Sequence, residues 1–393
     1  MTQGLPRRLR VAMIGSFFPQ SVPGGMQNYV MGRATWLGRR CDVRVFAMGP
    51  VPAEYTPVTP GSGAGRTASD SLVSRRFRAV SLGPAIGIRF QFLQVWWRLC
   101  SGLLRFWPDA IELHYPAVAM PLLIGTSFTY FFHGPLRLET RVQGGSEALQ
   151  RQRYRIEGWF LRRARRIRVA SRTFHGVLLA EHPGLHGRPR DIRLCYPRIL
   201  GAEQAAASED FVVPLPDGVP ERARLLICVR RLVPRTGVDL LLRAFERASA
   251  SLPSDVHLVV AGTGPLEASL QALQATLASA PRIHLVGQID DAARAALFHR
   301  AEWNVVPTVA LEGFGLVVVE AAFHGCPSLV TRVDALPEVV ELLGGHGKVC
   351  APDEASLAAA LGEVCGEAGR FADGAALRAV AIRHFGAEAG PLR

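Results

Sequence analysis

The sequence predicts an α/β protein made of two doubly wound domains, and three observations carry that expectation. The chain opens as strand, helix, strand. Residues 9–14 form an apolar run, residues 15–25 a loop rich in Gly and Pro, residues 26–37 a helical stretch, and residues 42–47 a second apolar run. The same opening recurs at residues 225–229, after a stretch containing Pro214, Pro216 and Pro220 that reads as a linker. Finally, 393 residues with 49% hydrophobic and 20% charged side chains suit two cores better than one. The expected boundaries are 1–205 for the first domain, 206–222 for the linker and 223–374 for the second domain. A last helix is expected at 375–393, packing back toward the first domain.

Taken in order, residues 53–71 are rich in Pro, Gly, Ser and Thr and read as a loop. Residues 90–107, FQFLQVWWRLCSGLLRFW, set Arg98 and Arg105 among aromatics. Such a helix either packs on a sheet or lies in an anionic membrane interface. Residues 109–114 and 129–133 read as buried strands, each ending at a histidine, His114 and His133. At the carboxyl ends of parallel strands both would face the ligand side, although a strand-end histidine is often only a satisfied polar group. Residues 147–163 form a helix with a basic face, followed by Arg165 and Arg166. A solvated face is the default and anionic lipid the alternative. No RNA- or DNA-binding motif accompanies the charge, so nucleic acid is not an expected partner. Strands at 167–171 and 192–195 close the first domain. In the second, strand 257–261 leads into Gly262-Thr263-Gly264-Pro265 and helix 266–277. Strand 283–286 follows, ending at Gly287, then helix 290–301. Further helices are expected at 354–365 and 375–385.

The chemistry concentrates at residues 303–340. A short apolar strand ends at Pro307, and a loop holds Glu312, Gly313 and Gly315. The pattern then turns helical, with Leu316, Val319, Glu320 and Phe323 at turn spacing. The amides of Phe314, Gly315 and Leu316 are expected to lie unpaired at the helix start, a seat for phosphate. One carboxylate can then face a sugar's hydroxyls and the other a ribose, with the amides between them for a diphosphate. The alternative is an ordinary strand-loop-helix unit with solvated glutamates.

EGFGLVVVEA followed by HGCPSLVTRVDALPEVV resembles the donor-site signature of glycosyltransferase family 4. The shared features are two Glu separated by seven residues, Gly-x-Pro, a strand, and Pro-Glu-Val-Val. RRLVPRTGVDLLLRAF resembles that family's Gly-Arg-Leu-x-x-x-Lys-Gly segment, with Arg231 at the Arg position. Thr236 stands where the family has Lys, Arg230 where it has the leading Gly, and Arg235 offers a neighbouring charge. PGGMQNYV, with Gly25, resembles the Pro-x-x-Gly-Gly loop before the first helix. His133 occupies the position of a histidine at the donor sugar, and His114 matches another strand-end histidine. One departure is Tyr196-Pro197-Arg198-Ile199-Leu200, where the family usually shows Pro-Asn-Gly-Val-Asp.

The resemblance covers nearly the whole chain and is strongest over residues 225–340. It implies the GT-B fold, two Rossmann-like domains facing a cleft. The implied activity is a retaining transfer from a nucleoside-diphosphate sugar to a hydroxyl of a glycan or lipid-linked acceptor, in bacterial glycan, polysaccharide or glycolipid synthesis. In that reading Glu320 binds the ribose, and Glu312 and His133 the sugar. Arg231, Arg235, Thr236 and the amides of Phe314, Gly315 and Leu316 serve the diphosphate. Gly25 lets the backbone approach the donor phosphate, and Gly287 borders the base. No Asp-x-Asp or His/Cys cluster suggests a metal, and no cofactor is expected beyond the nucleotide-sugar co-substrate. An epimerase or sugar phosphorylase of the same architecture is one alternative. A silent nucleotide-sugar-binding subunit is another, motivated by Thr236 and the Tyr196-Pro197 loop.

Composition narrows the setting. A net charge of +12 and pI near 10.1 favour an anionic partner. The seven cysteines show no paired spacing and read as reduced core residues of a cytoplasmic protein, peripheral at the inner face of a membrane if it touches one. No apolar run reaches the roughly 18 residues of a spanning helix. MTQGLPRRLRVAMIGSF reads as a first strand rather than a signal peptide.

Overall fold

The structure, a computed structural model, describes residues 8–17, 25–50, 78–82, 92–116, 127–187, 191–199, 215–366 and 373–386. The loop expected at 53–71 and most of the linker lie outside these residues. The chain divides into two compact units. The first comprises Met1–Arg137, Ser146–Ala170 and His175–Leu200. The second comprises Gly201–Arg393 together with Leu138–Gly145 and Ser171–Phe174.

In the first unit seven strands form one sheet: β1 (Arg10–Phe17), β2 (Asp42–Met48), β3 (Arg78–Ser81), β4 (Ala110–Leu113), β5 (Thr129–Phe132), β6 (Arg166–Val169) and β7 (Asp191–Leu194). Their order is β3-β2-β1-β4-β5-β6-β7, and every pairing is parallel. Val11, Ala12, Met13 and Ile14 are all buried, as expected for a central strand covered on both faces. The helices of this half of the chain are α1 (Gly25–Gly38), α2 (Phe92–Phe106), α3 (Leu136–Val142), α4 (Glu147–Arg163) and α5 (Arg172–Glu181), of which α3 from Leu138 on and the first three residues of α5 group with the second unit. Helix α1 lays Val30, Met31 and Ala34 on Val11, Met13, Val43 and Val45. Strand β3 and helices α3 and α5 have no counterpart in the sequence-based reading. β3 is four half-exposed residues, RAVS, too short to show a period.

Helix α2 divides its apolar residues between two faces. Val95, Leu99, Leu103 and Phe106 are buried, whereas Leu93, Trp97 and Leu104 are more than 65% exposed, as is Trp107 just beyond the helix. The core face follows the spacing of a helix packed on a sheet, and the outward stripe is what such packing leaves over.

The second unit has six parallel strands: β8 (Arg224–Val229), β9 (Val256–Ala261), β10 (Ile283–Gly287), β11 (Trp303–Val306), β12 (Ser328–Thr331) and β13 (Gly347–Cys350). They run in the order β10-β9-β8-β11-β12-β13. Around them lie α6 (Val238–Ala248), α7 (Glu267–Ala275), α8 (Asp291–Arg300), α9 (Leu316–Phe323), α10 (Leu336–Leu342), α11 (Glu354–Cys365) and α12 (Gly374–Phe385). Leu241, Leu242 and Phe245 of α6 share a core with Leu357, Leu361 and Val364 of α11. Asp290, Asp353 and Asp373 cap α8, α11 and α12 by accepting from Ala293, Ser356 and Ala376 amides at 2.7–2.9 Å. Helix α12 packs within this unit, with Phe385 edge-on to Phe314 at 5.6 Å between centroids.

Strand order reverses between β1 and β4 in one sheet and between β8 and β11 in the other. In parallel sheets ligands collect outside the carboxyl ends at such points. His114, the Arg230–Thr236 turn and the Glu312 loop all leave strands flanking these two points; His133 follows the next strand, β5.

Candidate functional site

In the second unit the two loops at the β8/β11 switch point are tied to each other. Arg230 follows β8, and its Nη2 donates to Glu312 Oε2 at 2.6 Å and to Thr308 Oγ1 at 2.7 Å. The pair is nearly buried, with side chains 10% and 13% exposed. Arg230 Nε is enclosed without a hydrogen-bond partner. The backbone of Arg230 can lie here because residue 262 is glycine. With φ at +139°, a Cβ on Gly262 would stand 1.9 Å from the Arg230 carbonyl oxygen.

Glu312 is held from four directions. Its other oxygen, Oε1, accepts the Gly315 amide at 3.1 Å, and its own amide donates to Asp334 Oδ2 at 2.9 Å. Arg235 Nη1 donates to the carbonyl of Leu311, next in chain, at 2.8 Å. Leu311 and Asp334 both adopt positive φ, at +54° and +43°. Strain of this kind persists where the surroundings over-determine it, and it clusters at ligand clamps. Burial by itself would raise the Glu312 carboxyl, but Arg230 and Arg235 outweigh it and hold the group below the usual carboxylate range.

The phosphate seat differs from the expectation of three unpaired amides. Gly315 lies at φ +83° as the residue before α9, and its amide is engaged by Glu312. Phe314 is 4% exposed against Phe385. The amide end of α9 therefore presents itself at Leu316, which is partly exposed. Arg231 is exposed, with Leu232 beside it buried in the core. Thr236, standing where a lysine was expected, is 2% exposed, and its hydroxyl lies 2.7 Å from the carbonyls of both Arg231 and Val233. That side chain braces the turn and is not presented to a ligand. Glu320, in α9, has Oε2 3.7 Å from Nε of Arg294 in α8. Burial raises its pKa, and Arg294 offsets this only in part. Gly287 ends β10 at φ +68°, with open space where a Cβ would be.

In the first unit the two strand-end histidines meet. His114 Nδ1 and His133 Nε2 are 3.0 Å apart, with the rings nearly stacked. His114 is 2% exposed and His133 partly exposed. Burial pushes both imidazoles below their ordinary pKa, His133 well below it. Behind them Arg33 of α1 forms a two-pronged pair with Glu112, at 2.7 and 2.6 Å. Burial would raise the Glu112 carboxyl, but Arg33 brings it down to about 2. Arg33 and Glu112 escape sequence reading because 79 residues separate them. Gly25 opens α1 and is exposed. Among the described residues no group of three or more His, Cys, Asp or Glu could hold a metal.

Comparison with known proteins gives the family and the fold. The family model described as glycosyl transferases group 1 matches residues 223–367, and the glycosyl transferase 4-like domain matches residues 24–190. A glycogen synthase of Mycobacterium tuberculosis is 30% identical over 376 residues, 91% of this chain and 86% of that enzyme. A phosphatidyl-myo-inositol mannosyltransferase of Mycolicibacterium smegmatis is 33% identical over 150 residues, 38% of each chain. Among solved structures, sucrose-phosphate synthase of Thermosynechococcus elongatus superposes with a TM-score of 0.71 at 19% identity, covering 96% of this chain and 95% of that one. HepE of Anabaena, solved with UDP-glucose, gives 0.70 at 16% identity, with 96% of each chain covered.

Proposed function

Because this chain belongs to glycosyltransferase family 4 and has the GT-B fold, we propose that it moves a sugar from a nucleoside-diphosphate-sugar donor to a hydroxyl acceptor, with retention and without a metal. The observation that carries the reading is Glu312, an ionised and nearly buried carboxylate fixed at a switch point. A carboxylate offers about four acceptor positions. Arg230 and the Gly315 amide take two of them, leaving room for two sugar hydroxyls.

In this reading Glu312 orients the sugar and steadies its developing positive charge. Glu320 accepts from the ribose hydroxyls. The departing diphosphate meets the α9 dipole at Leu316, with Arg231 and Arg235 adding positive charge. The acceptor attacks on the leaving group's own face, and a phosphate oxygen takes its proton. The named relatives act in glycogen synthesis and on phosphatidyl-myo-inositol, which favours a glycan or a lipid-linked acceptor here. The outward stripe of α2, Leu93, Trp97 and Leu104 with Arg98 and Arg105 alongside, suits contact with an anionic membrane surface.

A second reading has its own observation. Arg230 replaces a glycine and clasps the carboxylate meant for the sugar, as in a subunit that binds a nucleotide sugar without transferring it. The experiment that tests both is a thermal-shift screen with UDP, GDP, ADP and their sugars, followed by product analysis on any compound that binds. A true donor raises Tm with concentration by mass action. Binding followed by glycoside formation supports transfer, binding alone supports the silent subunit, and no shift with any compound overturns both.

A further inference from the structure

Behind the ring pair at the ends of β4 and β5 runs a line of charge that the transfer reading leaves unused. Arg33 grips Glu112 through Nε and Nη2. Glu112 Oε2 lies 3.6 Å from His114 Nε2, and His114 Nδ1 lies 3.0 Å from His133 Nε2. The walls are aromatic, with Phe131 stacked on His114 at 4.3 Å and Tyr29 edge-on to His133 at 4.9 Å. Among the described residues, the other ionisable groups bordering this line are Tyr29, Cys41, Arg198 and Cys195, the last 3.6 Å from Arg33 Nη1.

The protons on this line can be counted. His114 Nε2 makes no hydrogen bond, and the Glu112 oxygen lies beyond hydrogen-bond reach at 3.6 Å. The ionised carboxylate still favours a proton over a lone pair on the nitrogen that faces it, so Nε2 carries the proton. A neutral imidazole has one N–H, which leaves a lone pair on His114 Nδ1. His133 Nε2, 3.0 Å away, must then be the donor. By the same count His133 Nδ1 keeps its lone pair. Among the described residues no hydrogen-bond partner reaches that nitrogen. Burial favours the neutral form of both rings, which the count requires.

We propose that the Arg33–Glu112 pair is a positioning device which, through His114, fixes the proton of His133 on Nε2 and leaves Nδ1 to accept a hydrogen bond from a substrate hydroxyl. The opposite tautomer would present an N–H and select a phosphate or carbonyl oxygen instead. Identifying the ligand as a hydroxyl rests on the transfer reading; the tautomer does not.

The test uses the full chain labelled with nitrogen-15 histidine. Two-bond nitrogen–proton spectra separate the two tautomers, and signals are assigned by their loss in His114→Asn and His133→Asn. The expected result is Nε2–H on both rings; an Nδ1–H on His133 overturns the proposal. In Glu112→Gln the preference is expected to give way to mixed tautomers, and an unchanged spectrum in that folded variant refutes the role of Glu112. If Glu112→Gln does not fold, Arg33→Met with Glu112→Gln removes both charges together and is read in the same way. Turnover of the donor found in the thermal-shift screen should fall about tenfold or more in the variant, while the shift produced by its nucleoside diphosphate stays the same. Equal turnover would overturn the positioning role. Should the wild type transfer no sugar at all, the transfer reading fails while the spectra still decide the tautomer.

Discussion

At the scale of single residues, the site is governed by buried charges whose partners cannot be removed without cost. Replacing Arg230 with Gly strips Glu312 of its closest cation in a nearly dry setting. Breaking such a pair typically costs about 3 kcal/mol or more, so Arg230→Gly should unfold at lower urea than the wild type in equilibrium denaturation. Glu312→Ala removes the carboxylate proposed to hold the sugar and should lower turnover far more than nucleotide affinity; full activity would dismiss that role. Glu320→Ala should weaken nucleotide binding by roughly 1–3 kcal/mol, leaving ribose hydroxyls unpaired, with calorimetry as the check. The pH dependence follows from Glu112. Its folded pKa, about 2, lies below the ordinary 4.5, so its stabilisation is complete above about 4.5 and is lost as pH falls toward 2. The two depressed histidines have the same sign one step higher, favouring the fold above about 6.5 and opposing it below. Thermal stability should therefore fall in two stages on acidification, and Glu112→Gln should shrink the lower stage, to which Glu312 also contributes.

At the scale of elements, legibility tracked how local the signal was. Strands β8 to β11 and helices α8, α11 and α12 were readable because apolar runs and turn glycines lie within a few residues of one another, whereas the four residues of β13 went unread. Glu312 and the start of α9 were readable from the Gly-rich loop and the strand before it. The grip on Glu312 was not, because Arg230 and Asp334 arrive from 82 residues before and 22 after. In the sequence Arg230 appears only as a missing glycine, and Thr236 only as a missing lysine. The folded loop shows that one became a partner of Glu312 and the other an internal brace. The Gly262 turn is an element-scale test of that packing. Gly262→Ala puts a Cβ against the Arg230 carbonyl at a φ that L residues avoid, and it should destabilise by more than about 1 kcal/mol, read as a lower Tm. For α2, Trp97→Ser with Leu93→Ser should reduce co-sedimentation with anionic vesicles and leave Tm nearly unchanged, since both side chains face outward. Vesicle binding unaltered by the pair would remove α2 from any membrane role.

At the scale of the whole molecule, each unit carries its own sheet and its own core. A fragment spanning 201–393 lacks residues 138–145 and 171–174 of the second unit but keeps its whole sheet and core, and it is expected to unfold cooperatively on heating; a broad, non-cooperative melt would show that the two short segments are needed for that core. The parallel pairing of both sheets has a further consequence, for synthesis on the ribosome. Neighbouring parallel strands cannot be closed by a tight hairpin, and β1 gains its second neighbour only when β4 has been made. For about a hundred residues of elongation the nascent chain thus carries β1 with one flank unsatisfied, and β8 repeats the wait until β11 emerges. Yield in the cell should accordingly respond to chaperone supply and growth temperature more sharply than the stability of the finished protein would suggest.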